Sequence, residues 1–90
     1  MTRFYRKRWE EPRGDARAEW GASSWFFEVD GSHAVRQVER YDDGPTIVYD
    51  ADNDEGEHGH LTYAEFDVEE WAPFEIDAET FRREALGERT

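Results

Sequence analysis

Ninety residues with a formal net charge of −12, of which 38% are charged and 37% apolar, leave room for one small hydrophobic core and exclude a second domain. Cysteine is absent, which excludes disulfides and thiolate metal sites, and no apolar run approaches the ~20 residues of a membrane span. Four Trp, four Tyr and six Phe exclude the disorder that such charge density would otherwise imply, because disordered chains are poor in aromatics.

In chain order, Phe4 to Trp9 reads as a first strand, with Tyr5 and Trp9 on one face and Phe4, Arg6 and Arg8 on the other. Residues 10–24 hold Pro12, Gly14, Gly21 and two serines without a clean period, so a long loop anchored by Trp20 is expected. Trp25, Phe27 and Val29 then alternate with Phe26, Glu28 and Asp30, giving one wholly apolar strand face. Asp30-Gly31 supplies the turn chemistry of a tight hairpin. Val35, Gln37, Glu39 and Tyr41 alternate with Ala34, Arg36, Val38 and Arg40 in the next strand. Asp43-Gly44 turns the chain again into Thr46-Ile47-Val48-Tyr49.

Residues 50–59 read as an acidic loop, Leu61-Thr62-Tyr63 as a further strand, and Val68 to Trp71 as a short helical turn. A C-terminal helix over 78–86 has clear signals at both ends. Asp77 can cap it, Ile76 and Phe81 can form a hydrophobic staple, and Gly87 can end it, leaving residues 87–90 as a tail. Phe81 and Ala85 give it an apolar face to lay on the sheet. The expected fold is α+β, one domain over 1–90: an antiparallel sheet of four to five strands, a β-meander at its centre, with one helix packed on it.

The charge is unevenly placed. Residues 1–27 carry six basic and four acidic side chains, whereas Tyr41 to Thr80 holds fourteen Asp and Glu and no Lys or Arg. Such a field repels phosphate backbones and anionic lipids and speeds encounter with a basic protein; solubility is the plainer reading of the same charge. A lone lysine, Lys7, among eleven basic residues points to a GC-rich genome. Met1-Thr2-Arg3-Phe4-Tyr5-Arg6 is basic with no apolar run behind it, so no signal peptide is expected and the expected location is cytoplasmic.

Little in the chain resembles catalytic machinery. Ser23, Ser24 and Ser32 all fall in predicted loops without a nucleophile elbow, no glycine-rich phosphate cradle exists, and abundant carboxylates do not make a paired acid and base. An enzyme is not expected. Asp50, Asp52 and Asp54 have the alternation that opens a calcium loop, but its sixth position is Glu55 instead of Gly and its twelfth is Leu61 instead of Glu. His58 and His60 sit two apart near those acids, so weak metal binding by the Asp52–His60 loop is a minor alternative. A structural zinc site needs more ligands than this, and no cofactor is expected. Arg3, Arg6, Lys7 and Arg8 interleave with Phe4, Tyr5 and Trp9, a pattern that can grip single-stranded nucleic acid. An amphipathic strand explains it better, because the domain's charge opposes a polyanion.

Trp25-Phe26-Phe27-Glu28-Val29-Asp30, Val35-Arg36-Gln37-Val38-Glu39, Tyr41-x-Asp43-Gly44 and Tyr49-Asp50 together resemble a family of small uncharacterised bacterial single-domain proteins. Pro73-Phe74-Glu75-Ile76-Asp77-x-Glu79-x-Phe81 is similar to that family's ending. The resemblance spans residues 25–81 and implies a stand-alone bacterial protein; it assigns no functional residues. Its size and acidity match those of immunity proteins by analogy. The expected function is an acidic protein-binding module, an immunity-type inhibitor that fills the cleft of a basic toxin or nuclease. The expected contact residues are Asp42, Asp43, Asp50, Asp52, Asp54, Glu55, Glu57, Glu69 and Glu70. Neither nucleic acid nor membrane is expected as a partner, and the chain is expected to be a monomer or weak dimer. The alternative is a small accessory subunit that stabilises a larger enzyme through an exposed aromatic patch.

Overall fold

Two Asp-Gly turns organise the centre of the sheet, and they need glycine for different reasons. The structure, a computed structural model, describes residues 2–11, 18–56 and 59–87. Ser23–Asp30 (β2) pairs antiparallel with His33–Tyr41 (β3). Gly31, between them, has φ 68°, a left-handed conformation that costs a residue with a Cβ about 1–2 kcal/mol. The β3 strand turns into Thr46–Asp50 (β4), where the Tyr41 amide donates to the Pro45 carbonyl at 3.3 Å. Gly44 has an ordinary φ, but a Cβ there would lie 2.8 Å from Cβ and Cδ1 of Trp20. Trp20 in turn packs on Tyr41, with ring centroids 5.0 Å apart. The aromatic anchor of the 10–24 loop therefore locks the second turn; residues 12–17 of that loop lie outside the described residues.

Thr2–Trp9 (β1) pairs with β2, and the two-residue strand Glu75–Ile76 (β7) pairs with the other edge of β1. The result is a five-stranded antiparallel sheet in the order β4-β3-β2-β1-β7. Glu55–Gly56 (β5) and Gly59–His60 (β6) form a separate two-stranded ribbon. Val68–Trp71 (α1) is a single turn capped by Asp67, and Ala78–Ala85 (α2) is the C-terminal helix. The fold is α+β. The α2 signals act as their residues predict: Asp77 Oδ1 accepts from the Thr80 amide at 2.7 Å, and Gly87 follows the helix at φ 70°. Leu61-Thr62-Tyr63 is not a strand. Its backbone is held instead by a side chain: the Thr62 amide donates to Gln37 Oε1 at 2.9 Å.

Both faces of the sheet are covered. On the first, Tyr5, Phe27, Val29, Ala34 and Tyr49 meet Leu61 and Phe66, with Trp25, Ile47, Trp71 and Phe74 packed around them. On the second, Phe26 and Val38 meet Phe81 and Ala85 of α2, flanked by Phe4, Ile76 and Leu86. Phe26, on the strand face expected to be polar, is thus as buried as Phe27, because the helix lies on that side. Ala34 also changes side. Glu28 pairs with Arg36 but Val29 pairs with Ala34, so Val35 is an extra residue in β3, a bulge that returns Ala34 to the first face.

Gln37, buried on the first face at 2% exposure, ties the covering segment down. Its Nε2 donates to the Glu39 carboxylate at 2.9 Å and to the His60 carbonyl at 3.4 Å. Tyr41 donates its hydroxyl proton to the other Glu39 oxygen at 2.5 Å. A buried carboxylate is tolerated only with such donors.

Candidate functional site

The carboxylates expected to meet a partner lie in three places. Asp42 and Asp43 occupy the β3–β4 turn, Asp50 ends β4 with Asp52, Asp54 and Glu55 of β5 following it, and Glu69 and Glu70 lie in the first turn of α1. Glu57 and His58 lie outside the described residues. The β4 strand thus has acids at both of its ends, and α1 contributes its pair beside Trp71 on the first face.

These acids are not equivalent. Asp42 is gripped by Arg8, whose Nη1 donates to Oδ1 at 2.9 Å while Nη2 donates to Oδ2. Arg8 Nη1 also reaches Ser24 Oγ at 3.1 Å, and its Nε meets Glu10 at 3.0 Å. The guanidinium hydrogen bond holds the Asp42 carboxyl below its usual range, and the same partners raise the arginine. Other arginines are matched elsewhere on the sheet and helix: Arg3 with Glu75, Arg6 and Arg83 with Glu84, and Arg36 with Glu28. Arg40 donates to the Glu84 carbonyl. Asp43, Asp50, Asp52, Asp54, Glu55, Glu69 and Glu70 take part in no ion pair among the described residues.

Local hydrogen bonds shape the 50–56 segment without using most of its charge. Asp50 Oδ1 accepts from the Asp52 amide at 3.0 Å, and Asp50 and Asn53 exchange two backbone bonds of 3.2 and 3.1 Å. The Asp54 carbonyl accepts from Leu61. Asp52, Asp54 and Glu55 point their carboxylates into water. On α1, Asp67 caps the amides of Glu69 and Glu70, which leaves both carboxylates exposed at the positive end of the turn. His60 is committed locally: Nδ1 lies 2.8 Å from the Leu61 carbonyl and its ring stacks on Tyr63. Among the described residues no three His, Asp or Glu side chains converge closely enough to hold a metal ion.

A second surface feature was hidden in the first strand. Lys7, Trp9, Trp25, Phe27 and Trp71 line an apolar groove of about 340 Å³ on the first face. Trp9 is 51% exposed there, and Lys7 Nζ lies 5.4 Å from the Trp71 ring centre and 5.1 Å from that of Phe74. Such contacts are cation–π attractions. The period of two that places Tyr5 and Trp9 on one face also places Lys7 between them, so the alternation carried the signal. On the opposite face a polar cleft of about 510 Å³ is lined by Ser24, Arg40, Asp42, Arg83 and Glu84, with Phe26 and Tyr41. Its arginines are the ones already matched by carboxylates or carbonyls.

No family model, curated protein or solved structure matches the chain. Among the described residues no helix is long and apolar enough to cross a membrane.

Proposed function

We propose that this chain is an acidic protein-binding module that neutralises a basic toxin or nuclease, in the manner of an immunity protein. The carrying observation is the division of the carboxylates. Asp42 is neutralised by Arg8 within the fold, whereas Asp43, Asp50, Asp52, Asp54, Glu55, Glu69 and Glu70 take part in no ion pair among the described residues. Acids outside any ion pair among the described residues, on a domain of charge −12, create a field that steers a cationic surface toward them. Capturing a basic protein on the immobilised chain at low salt and timing its association tests this reading. Changing Asp52, Asp54 and Glu55 to Lys should slow association by about tenfold or more at low salt. Added salt should remove most of the difference, because charges are screened beyond ~8 Å at physiological ionic strength. Association independent of salt and of these substitutions rejects the reading.

The groove around Trp9 favours a second reading, an accessory subunit that stabilises a larger enzyme, because an exposed tryptophan beside an apolar groove is a characteristic interface anchor. The same kinetics separate the two. An interface centred on the groove loses affinity with Trp9→Ala and responds little to salt.

A further inference from the structure

We infer that the outer edge of β4 is a strand-addition site, taking an extended, basic-flanked segment of the partner; this rests on the acidic-module reading. Alternation along β4 fixes which backbone groups are free. The Tyr41 amide bonds the Pro45 carbonyl, so the odd-numbered residues Ile47 and Tyr49 exchange bonds with β3 in the same antiparallel ladder. Asp50 instead exchanges both of its outward bonds with Asn53, which confirms the phase. Thr46 and Val48 therefore turn their N–H and C=O groups outward. The β4 strand is the end of the sheet order, and no backbone bond among the described residues reaches those two.

Natural sheets commonly guard an edge with lysine, proline or an inward charge. Here Pro45 stands before the open stretch and the Asp50–Asn53 turn closes it beyond, but Thr46-Ile47-Val48 between them carries no charge. Val48 is 39% exposed and continues the row Phe26–Val38 across the sheet. An added strand would extend that row, gaining main-chain bonds from Thr46 and Val48 and an apolar neighbour for Val48.

Charge selects the occupant. Asp43 lies before the open stretch and Asp50 and Asp52 lie after it, none of them in an ion pair among the described residues. A second copy running antiparallel would bring its own Asp43 toward Asp50 and Asp52, like charges at both ends. A strand with an apolar, β-branched centre and Lys or Arg at each end meets opposite charges instead.

The test uses synthetic peptides of alternating threonine and valine, flanked at both ends by arginine or by serine, and amide exchange read by NMR. The arginine-flanked peptide should bind and slow exchange at Thr46 and Val48 by about tenfold. It should bind more tightly than the serine-flanked one. Val48→Pro removes an outward N–H at an edge, where proline is tolerated, and should weaken binding about tenfold. The wild-type exchange pattern decides the matter even if that variant does not fold. Binding of the arginine peptide without protection at Thr46 and Val48 overturns strand addition and leaves the acidic-module reading standing. Equal protection by both peptides keeps the strand site and overturns the charge selection with the reading behind it. No binding by either peptide, or protection that grows with protein concentration alone, overturns the inference.

Discussion

The two faces of the sheet are closed by different means. On one, a single amphipathic helix brings Phe81 and Ala85 against Phe26 and Val38, and its caps are written in neighbouring residues. On the other, Leu61, Phe66, Trp71 and Phe74 come from a stretch whose regular elements are only α1, one turn long, and a three-residue 3-10 turn at Ala72–Phe74. That stretch is held by aromatic packing and by side-chain and loop bonds. Phe66 sits 5.1 Å from Phe27 and 4.7 Å from Trp71 by ring centre, its amide donates to the Ser32 carbonyl at 2.7 Å, and Gln37 fixes Thr62. A helix satisfies its own backbone and needs only a greasy stripe to dock. An irregular cover must find a partner for each buried backbone group, so it depends on particular side chains on the sheet beneath it. The face with the irregular cover is also the one that carries the tryptophan groove.

The largest expected effects strike the two cores separately. Phe27→Ala and Phe81→Ala should each cost roughly 3–5 kcal/mol, the range for emptying a buried phenylalanine site. Trp9, Trp25 and Trp71 line the first face, and Trp20 packs on Tyr41 beside it. Tryptophan fluorescence in the folded protein should therefore shift with Phe27→Ala and stay near wild type with Phe81→Ala. Equal shifts would mean the faces communicate, and a loss below about 1 kcal/mol at Phe27 would mean that its site is not a packed core.

Gln37→Leu is expected to act next in size and on one face only. It keeps the volume but removes the donors to Glu39 and His60 and the acceptor for Thr62. Leaving buried groups short of partners costs roughly 1–3 kcal/mol. Amide exchange should accelerate at Thr62 and Phe66 while the α2 amides keep wild-type rates. Acceleration in both places would show that the covers open together.

Asp77→Asn gives the smallest effect, confined to the helical face and visible only in acid. Hydrogen bonds from Thr80, side chain first and then backbone, lower the Asp77 carboxyl below its ordinary value. A depressed carboxyl stabilises the fold above its unfolded pKa, about 3.9, and that contribution fades as pH falls through the folded value. Asparagine still caps but does not titrate, so thermal unfolding of the variant should depend less on pH below about 4 than that of wild type. Identical acid limbs would remove the cap from the account.

The same contrast explains what the sequence made readable. The β2–β3–β4 meander and α2 announced themselves through period-two alternation, two Asp-Gly pairs and the Asp77, Ile76 and Gly87 signals. The burial of Phe26 is not legible, because Glu28 and Asp30 share its strand face and dominate the pattern; only the docking of α2 shows that the apolar end of that face is covered. The β7 strand, two residues long, is too short to show a period. Leu61-Thr62-Tyr63 has strand composition, but the Gln37 side chain takes the backbone position that a neighbouring strand would fill. At the candidate site, Asp42 and Asp43 are indistinguishable in sequence. Register alone brings Arg8 and Arg40 opposite Ser24 on either side of β2 and lets Arg8 claim Asp42, leaving Asp43 in no ion pair among the described residues.

The extra residue at Val35 has a bearing on how this chain can vary. By inserting one residue into β3, it sets the side-chain phase of the hairpin tip, so that Ala34 joins the first core, His33 bridges Glu65 and the Ser32 carbonyl meets the Phe66 amide. These contacts depend mainly on backbone placement and count, and little on which side chain stands at position 35. Apart from Gly31, whose left-handed φ calls for glycine, and the buried Ala34, the tip can therefore vary in composition, whereas losing or gaining a single codon between Asp30 and Arg36 would turn residues to the wrong side and release the irregular cover. Length, more than chemistry, is the inherited quantity at that end of the molecule.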